Sequence, residues 1–204
     1  MIDLYTSSTP NGHEIQIMLE ESGLEYSLHP VNLGEREQFS AEFLAINPNS
    51  KIPAIVDQEG PGGEKIVVFE SGAILLYLAE KSGQFVPRDP RGRWQVVQWL
   101  MLQMSGIGPF FGQLGYFRNR APEPVPAAIE KYGREVERLY GVVDGRLGEV
   151  EFLAVEYSIA DMACFPWMRI YPRFGVDIEA FPNVVRWLGV IGARPAVQRG
   201  LNLL

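Results

Sequence analysis

Residues 49–74 read NSKIPAIVDQEGPGGEKIVVFESGAI, and this stretch decides the fold of the first half of the chain. Apolar runs at 52–56 and 66–69 flank a turn at 60–63 that is rich in glycine and proline. Short apolar runs bounded by turn residues are typical of buried strands, and a short connection joins antiparallel neighbours. We therefore predict a β-hairpin, followed by a helix that Ser71 caps and that runs to about Lys81.

The dipeptide Glu70-Ser71 falls where the second strand of this hairpin gives way to the helix. A helix start offers unpaired N–H groups and the positive end of the helix dipole, so it can bind a carboxylate. A glutamate beside it can bind an ammonium group. The pair therefore predicts recognition of an α-amino acid head group, although a capping serine beside a solvated glutamate would give the same pattern.

Outward from this stretch, strand and helix signals alternate towards the N-terminus. They predict a strand at 2–5, a helix that follows the turn Thr9-Pro10-Asn11-Gly12 and stops near Gly23, a strand at 26–31 and a short helix at 39–46. The order βαβ, α, hairpin, α is that of the thioredoxin-like fold. We predict an α/β thioredoxin-like N-terminal domain over residues 1–82.

After about residue 90 the strand signals disappear. Helical patterns cover 91–105 and 129–147, and Ser158-Ile159-Ala160-Asp161 is a capping pattern that precedes another helix. Gly106 to Pro109 predicts a break or kink, and Pro182 and Pro195 are placed to begin the last two helices. We predict an all-α C-terminal domain over residues 90–204.

Composition narrows the class of protein. The chain has 204 residues, 47% hydrophobic, with a net charge of −7 and no basic stripe that would indicate a nucleic-acid partner. It has no apolar run of about 18 residues or more, which predicts no membrane span, and its N-terminus lacks a signal-peptide pattern. Cys164 is the only cysteine, and with two histidines the chain lacks the residues of a metal cluster. We expect a cytoplasmic protein without a metal.

Four motifs together resemble the cytosolic glutathione transferase superfamily. They are Lys51-Ile52-Pro53-Ala54, Glu70-Ser71-Gly72-Ala73-Ile74, the Tyr157-Ser158-Ile159-Ala160-Asp161 cap and Arg194-Pro195. A narrower set is similar to the nu class, the bacterial disulfide-bond oxidoreductases related to the yeast nitrogen regulator and prion protein. That set comprises Thr9-Pro10-Asn11-Gly12-His13, Asn47-Pro48-Asn49, and Gly108-Pro109 with Gly112-Gln113. The resemblance implies a homodimer that binds glutathione, in its reduced or disulfide form.

The resemblance assigns the parts of glutathione to residues of this chain. Ser71 would bind the α-carboxylate of the γ-glutamyl head and Glu70 its ammonium group. Ile52 would pair through its backbone with the cysteinyl part, because the fold keeps a cis peptide bond before Pro53. Gln38 and Lys51 are the candidates for the glycyl carboxylate. Lys131 matches a basic residue that reaches a second glutathione; Lys51 and Lys131 could also be ordinary surface lysines.

The sulfur of glutathione needs hydrogen-bond donors that stabilise the thiolate, which is the nucleophile. The nu class uses Thr and Asn for this purpose, which here are Thr9 and Asn11. Two alternatives remain open. Thr9 and Asn11 could only form the turn and cap the helix, and Ser8 could contact the sulfur instead, as a serine near this turn does in delta- and theta-like transferases.

The chain has no Cys-x-x-Cys pair, and Cys164 lies within a predicted helix, where a buried structural thiol is expected. Disulfide chemistry must therefore be carried by glutathione itself. The leading hypothesis is a glutathione-dependent disulfide-bond oxidoreductase acting on small-molecule disulfides, with organic hydroperoxides as further substrates. The alternatives are a glutathione-conjugating transferase and a non-enzymatic glutathione-binding regulatory protein.

Overall fold

In a computed structural model, residues 1–204 divide into two compact units. The first comprises Met1–Gln84 together with Arg194–Leu204, and the second comprises Phe85–Ala193. The sequence had placed residues 90–204 in one C-terminal domain. The structure differs at the C-terminus, where the last eleven residues, 194–204, pack with the first unit.

The first unit is built on a four-stranded sheet in the order β2-β1-β3-β4. Its strands are β1 (Ile2–Thr6), β2 (Tyr26–Pro30), β3 (Ala54–Asp57) and β4 (Ile66–Phe69). Strand β1 pairs parallel with β2 and antiparallel with β3, and β3 pairs antiparallel with β4. The predicted hairpin is confirmed, with Ala54 opposite Phe69 at its end. Glu70 and Ser71 therefore follow an edge strand whose register is set by β3.

The helices of the first unit are α1 (Pro10–Ser22), α2 (Ala41–Leu44) and α3 (Ser71–Ser82). Helix α1 packs against α3, and the core of this unit is formed by buried apolar side chains of these helices and of β1 and β3: Ile15, Leu19, Ile74 and Leu78 from the helices, and Leu4 and Ile55 from the strands. The α3 residues Tyr77 and Lys81 both donate hydrogen bonds to the buried Asp57 carboxylate at the end of β3. Burial raises the pKa of Asp57, but these two bonds, a third from the Glu59 N–H and the charge of Lys81 together outweigh it and leave the pKa below its usual value. This cluster ties α3 to the sheet.

The second unit is helical, as predicted. It contains α4 (Pro90–Leu102), α5 (Gly108–Asn119), α6 (Pro126–Leu147), α7 (Ile159–Met168) and α8 (Pro182–Gly192). Between α4 and α5, Gln103–Ile107 form a π-helical turn, so the predicted kink is a local widening of a continuing helix. The apolar stripe of α6 is buried at Val136, Leu139, Val143 and Leu147.

The last helix, α9 (Pro195–Leu201), belongs to the first unit because it packs directly on α1. A β-carbon at Gly200 would lie 2.9 Å from the Ile17 backbone nitrogen, so only glycine permits this approach. Arg194 adds a bidentate ion pair to Glu21, with distances of 2.6 and 2.9 Å. The sequence marked this helix by Pro195 alone, and that signal says nothing about which unit it joins.

Candidate functional site

Glu70 and Ser71 lie at the junction of β4 and α3, but their roles differ from the expected ones. Glu70 is the N-cap residue, with φ 70° and ψ 118°, and Ser71 is the first residue of the helix. The prediction that Ser71 caps the helix is therefore wrong by one residue, because the turn from strand to helix takes place in the backbone of Glu70. The Glu70 side chain makes no capping hydrogen bond.

A positive φ at a residue other than glycine is strained, at a cost of about 1–3 kcal/mol. Glu70 keeps this conformation, and its side chain is exposed. Ser71 is 7% exposed and lies in the first turn of α3, whose N–H groups have no intrahelical acceptor. The junction thus presents an exposed carboxylate beside the positive end of a helix, as recognition of an amino-acid head group requires.

The loop before β3 lies beside this junction. Its residue Asn49 donates a hydrogen bond from Nδ2 to Glu70 Oε1 at 3.4 Å. The peptide bond between Ile52 and Pro53 is cis, so that prediction is confirmed. Sheet pairing of β3 begins at Ala54, and the backbone N–H and C=O of Ile52 lie beyond the end of the ladder. Ile52 can therefore pair with an extended ligand as an added strand would.

The two residues predicted for the glycyl carboxylate have different environments. Lys51 is exposed, and its carbonyl oxygen accepts a hydrogen bond from Asn47 Nδ2 at 2.7 Å. Gln38 lies in the short 3₁₀ turn Glu37–Phe39, and its Oε1 is buried without a hydrogen-bond partner. A buried amide oxygen that lacks a donor is costly unless a ligand or solvent supplies one. Of the two, Gln38 therefore carries the stronger structural indication of a ligand.

Thr9 and Asn11 lie at the start of α1. Thr9 is its N-cap, and its Oγ1 accepts a hydrogen bond from the Gly12 N–H at 3.2 Å. A hydroxyl that accepts one bond still has its own hydrogen to donate, so capping the helix and binding a thiolate are compatible roles. Asn11 is half-buried in the first helical turn. Ser8, the alternative, is exposed, and its Oγ lies 3.5 Å from His13 Nε2.

Lys131 belongs to the second unit, on the exposed side of α6. It lines a groove of about 460 Å³ together with Phe110, Tyr132, Arg134, Glu135 and Arg138. Arg134 and Arg138 are each paired with a glutamate of the same helix, at 2.7 Å in both cases. Lys131 has no carboxylate partner, and its Nζ lies 5.7 Å from the centre of the Tyr132 ring. Lys131 is therefore the cation of this groove whose charge is not paired with a carboxylate and can bind an anion.

The only thiol of the chain lies away from these residues in the sequence and is inaccessible. Cys164 is fully buried within α7 of the second unit. No group of three or more histidine, cysteine, aspartate or glutamate side chains is placed to hold a metal ion. None of the helices combines the length and the apolar character that crossing a bilayer requires.

Two family models match the chain. The model of the glutathione S-transferase N-terminal domain covers residues 2–80, and that of the glutathione S-transferase C-terminal domain covers residues 109–195. Together they cover most of the chain and leave residues 81–108, which include α4, and 196–204 outside both models.

Individual relatives of the same family resemble this chain over nearly its full length. The disulfide-bond oxidoreductase YfcG of Escherichia coli K12 is 49% identical over 203 residues, covering 98% of this chain and 94% of YfcG. A glutathione transferase from Pseudomonas putida, crystallised with one glutathione disulfide per subunit, superposes with a TM-score of 0.96 at 47% identity, covering 99% of this chain and 91% of that one. A Pseudomonas fluorescens relative with two glutathione molecules bound gives a TM-score of 0.94 at 48% identity, covering 98% and 92%.

Proposed function

The chain belongs to the glutathione S-transferase family, and from that premise we propose that it is a glutathione-dependent disulfide-bond oxidoreductase. The observation that carries the proposal is an exposed Glu70 carboxylate at the start of α3 in a chain whose only thiol, Cys164, is buried in the other unit. A protein that binds glutathione but offers no thiol of its own must draw the reacting sulfur from glutathione. The name of YfcG and the glutathione disulfide bound by the Pseudomonas putida relative support the same reaction.

The residues of the first unit suit the parts of glutathione in order. Glu70 takes the ammonium group and the start of α3 at Ser71 takes the α-carboxylate of the γ-glutamyl head. The backbone of Ile52, before Pro53, pairs with the cysteinyl residue. Gln38 and Lys51 take the glycyl carboxylate. Each of these residues offers a polar group to one that glutathione presents, and the exposed Glu70 and the unpaired Gln38 Oε1 support the assignments at the two ends.

Bound glutathione supplies the thiol: two glutathione thiols and one substrate disulfide yield glutathione disulfide and two substrate thiols. The protein's part is to hold the sulfur as thiolate. Donation from the Thr9 hydroxyl and the Asn11 amide, together with the dipole of α1, favours the charged form and so lowers the thiol pKa. Lys131 is the proposed contact for the carboxylates of a second glutathione. The same thiolate would reduce organic hydroperoxides, which are the second substrate class to assay.

Turnover by the purified protein tests the proposal against its alternatives. We expect glutathione-dependent reduction of a small aliphatic disulfide with little conjugation of an aryl halide. The opposite ratio would identify a conjugating transferase, and glutathione binding without turnover on either substrate would identify a regulatory protein. Asn11→Ala should raise the pKa of the bound thiol, measured by its ultraviolet thiolate absorbance against pH, with Asn202→Ala as the control. An unchanged value would remove Asn11 from the mechanism.

We propose further that the protein is a cytoplasmic homodimer. Each unit exposes large apolar side chains, Val67 and Phe69 on β4 and Trp94 and Met101 on α4, with Trp94 67% exposed. Apolar faces of this kind mark association surfaces. Sedimentation should give a dimer for the wild type and a smaller species for Trp94→Glu, whereas Val185→Glu, on an exposed position of α8, should leave the dimer intact. A monomeric wild type would contradict the proposal.

A further inference from the structure

A single buried amide organises the loop that leads into β3. Asn47 is 1% exposed and uses both ends of its side chain. Its Nδ2 donates to the Lys51 carbonyl at 2.7 Å, and its Oδ1 accepts from the Asn49 N–H at 2.9 Å. Its own carbonyl accepts from the Ser50 N–H at 3.0 Å. Every residue of the loop from Asn49 to Lys51 is thus bonded to Asn47.

This loop reaches the β4–α3 junction through Asn49, whose Nδ2 donates to Glu70 Oε1. The residue that follows Asn49 and the residue that accepts its hydrogen bond are both conformationally strained. Ser50 has φ 53° and Glu70 has φ 70°, and neither is glycine. Strained backbone of this kind persists only where the surrounding structure over-determines it, and it gathers at ligand-binding sites. The hydrogen bonds of Asn47 and Asn49 are the contacts that supply this restraint.

We propose that Asn47 and Asn49 are positioning residues for the glutathione site. Asn47 holds the loop, and Asn49 occupies one oxygen of the Glu70 carboxylate so that the other, Oε2, is directed to the ammonium group of the ligand. The inference rests on the proposed function, because it presumes that Glu70 binds that ammonium group. A carboxylate held in place before the ligand arrives loses less conformational freedom on binding, and this strengthens affinity without a direct contact.

The contact to the ammonium group is the same in the bound substrate and in the transition state. Loss of Asn49 should therefore raise the KM for glutathione and leave kcat unchanged. We expect Asn49→Ala to weaken glutathione binding by about 3–10-fold, less than the loss of a direct contact, because Asn49 acts on the ligand only through the Glu70 carboxylate. A general defect of the fold would lower kcat as well.

A pair of ligands isolates the role of Asn49. Glutathione and glutaryl-cysteinyl-glycine differ only in the α-amino group that Glu70 is proposed to bind. In titration calorimetry, Asn49→Ala and Glu70→Ala should bind glutathione more weakly than wild type, whereas the three proteins should bind the analogue equally well. The matched control is Asn202→Ala, which removes another asparagine that donates a side-chain hydrogen bond in the first unit, to the Gln198 carbonyl.

The outcomes separate this inference from the proposed function. A wild type that binds neither ligand overturns the function itself. A wild type that binds glutathione, with Asn49→Ala weakening both ligands equally, overturns the positioning role and leaves the function standing. For Asn47, the double variant Asn47→Ala with Asn49→Ala should bind glutathione no more weakly than Asn47→Ala alone, because both act through one loop. Additive losses would show that Asn47 and Asn49 act separately.

Discussion

Two helix starts in this protein carry the same chemistry, a serine and an acidic residue, and use it in opposite ways. At the start of α7, Ser158 and Asp161 form a capping box inside the second unit. The Asp161 carboxylate is fully buried and accepts four hydrogen bonds, from the Leu153 and Ser158 N–H groups, the Ser158 hydroxyl and Trp187 Nε1. Nothing at this start is left for a ligand.

At the start of α3 the arrangement is reversed. Glu70 is exposed and strained in its backbone, and its side chain makes no capping bond but accepts one hydrogen bond from the side chain of Asn49. The comparison teaches that a carboxylate at a helix start indicates a binding site only when the protein does not satisfy that carboxylate itself. A start whose carboxylate is saturated with hydrogen bonds stabilises the fold, and a start whose carboxylate is unsaturated is available for recognition.

The largest expected effect is a loss of stability when the saturated carboxylate at the start of α7 is removed. Asp161→Ala leaves several buried donors without an acceptor, and we expect it to lower the free energy of unfolding by about 3–5 kcal/mol. Denaturant unfolding followed by circular dichroism measures this change. Glu70→Ala is the counterpart and should leave stability within about 0.5 kcal/mol of wild type or above it. Equal destabilisation by the two variants would show that both starts are structural.

The contribution of Asp161, at the start of α7, to the free energy of unfolding should depend on pH. Burial raises the pKa of Asp161 to about 6, against the opposing effect of its hydrogen bonds. A raised folded pKa means that the folded state binds the proton more tightly, so the contribution of Asp161 to stability is largest below its unfolded pKa. This stabilising contribution then declines as the pH rises to about 6, and the total loss is about 3 kcal/mol.

The difference in unfolding free energy between wild type and Asp161→Asn, measured from pH 4 to pH 7.5, isolates this effect from that of other carboxylates. Asp3, Glu20 and Asp57 have lowered pKa values and act in the opposite direction at lower pH, but they cancel in the difference. A difference that stays constant with pH would contradict the prediction.

For the unsaturated start we expect a loss of binding instead of stability. Glu70→Gln keeps the size of the side chain and removes the charge that faces the ammonium group. Glutathione affinity should fall by about 1.5–3 kcal/mol, or roughly 10–150-fold, as measured by calorimetry. Glu35→Gln, an exposed glutamate in the loop before α2, is the control for the change in net charge. An unchanged affinity would remove Glu70 from the site.

The smallest effects concern backbone strain near each start. Val155 precedes α7 with φ 80° and Glu70 precedes α3 with φ 70°. Replacing either by glycine relieves the strain, and we expect each variant to gain about 1 kcal/mol in unfolding free energy. Only Glu70→Gly should weaken glutathione binding. If Val155→Gly weakened it as well, strain near α7 would also have a role in recognition.

The strands, the hairpin and the helices could be predicted from the sequence because each depends on local periodicity and turn residues. The hairpin at 52–69 and the apolar stripe of α6 are examples, and the capping pattern at Ser158 formed as expected. The N-cap of α3 was predicted at Ser71 but lies at Glu70, because no sequence pattern indicates a non-glycine residue at positive φ. The hydrogen bonds of Asn47 and Asn49 could not be predicted from the Asn47-Pro48-Asn49 motif, since the local sequence pattern does not show which distant residue a side chain contacts.

The sequence by itself determined the fold class of each half, α/β and all-α, because hydrophobic periodicity and turn residues encode local backbone preferences. Its short motifs determined the family. It determined as well that the chain has no thiol pair. Only the tertiary structure decided that α9 joins the first unit, through the close approach of Gly200 to α1, and that Asp161 is saturated while Glu70 is exposed. Burial and hydrogen-bond saturation depend on residues far apart in the chain, such as Trp187 for Asp161 and Asn49 for Glu70.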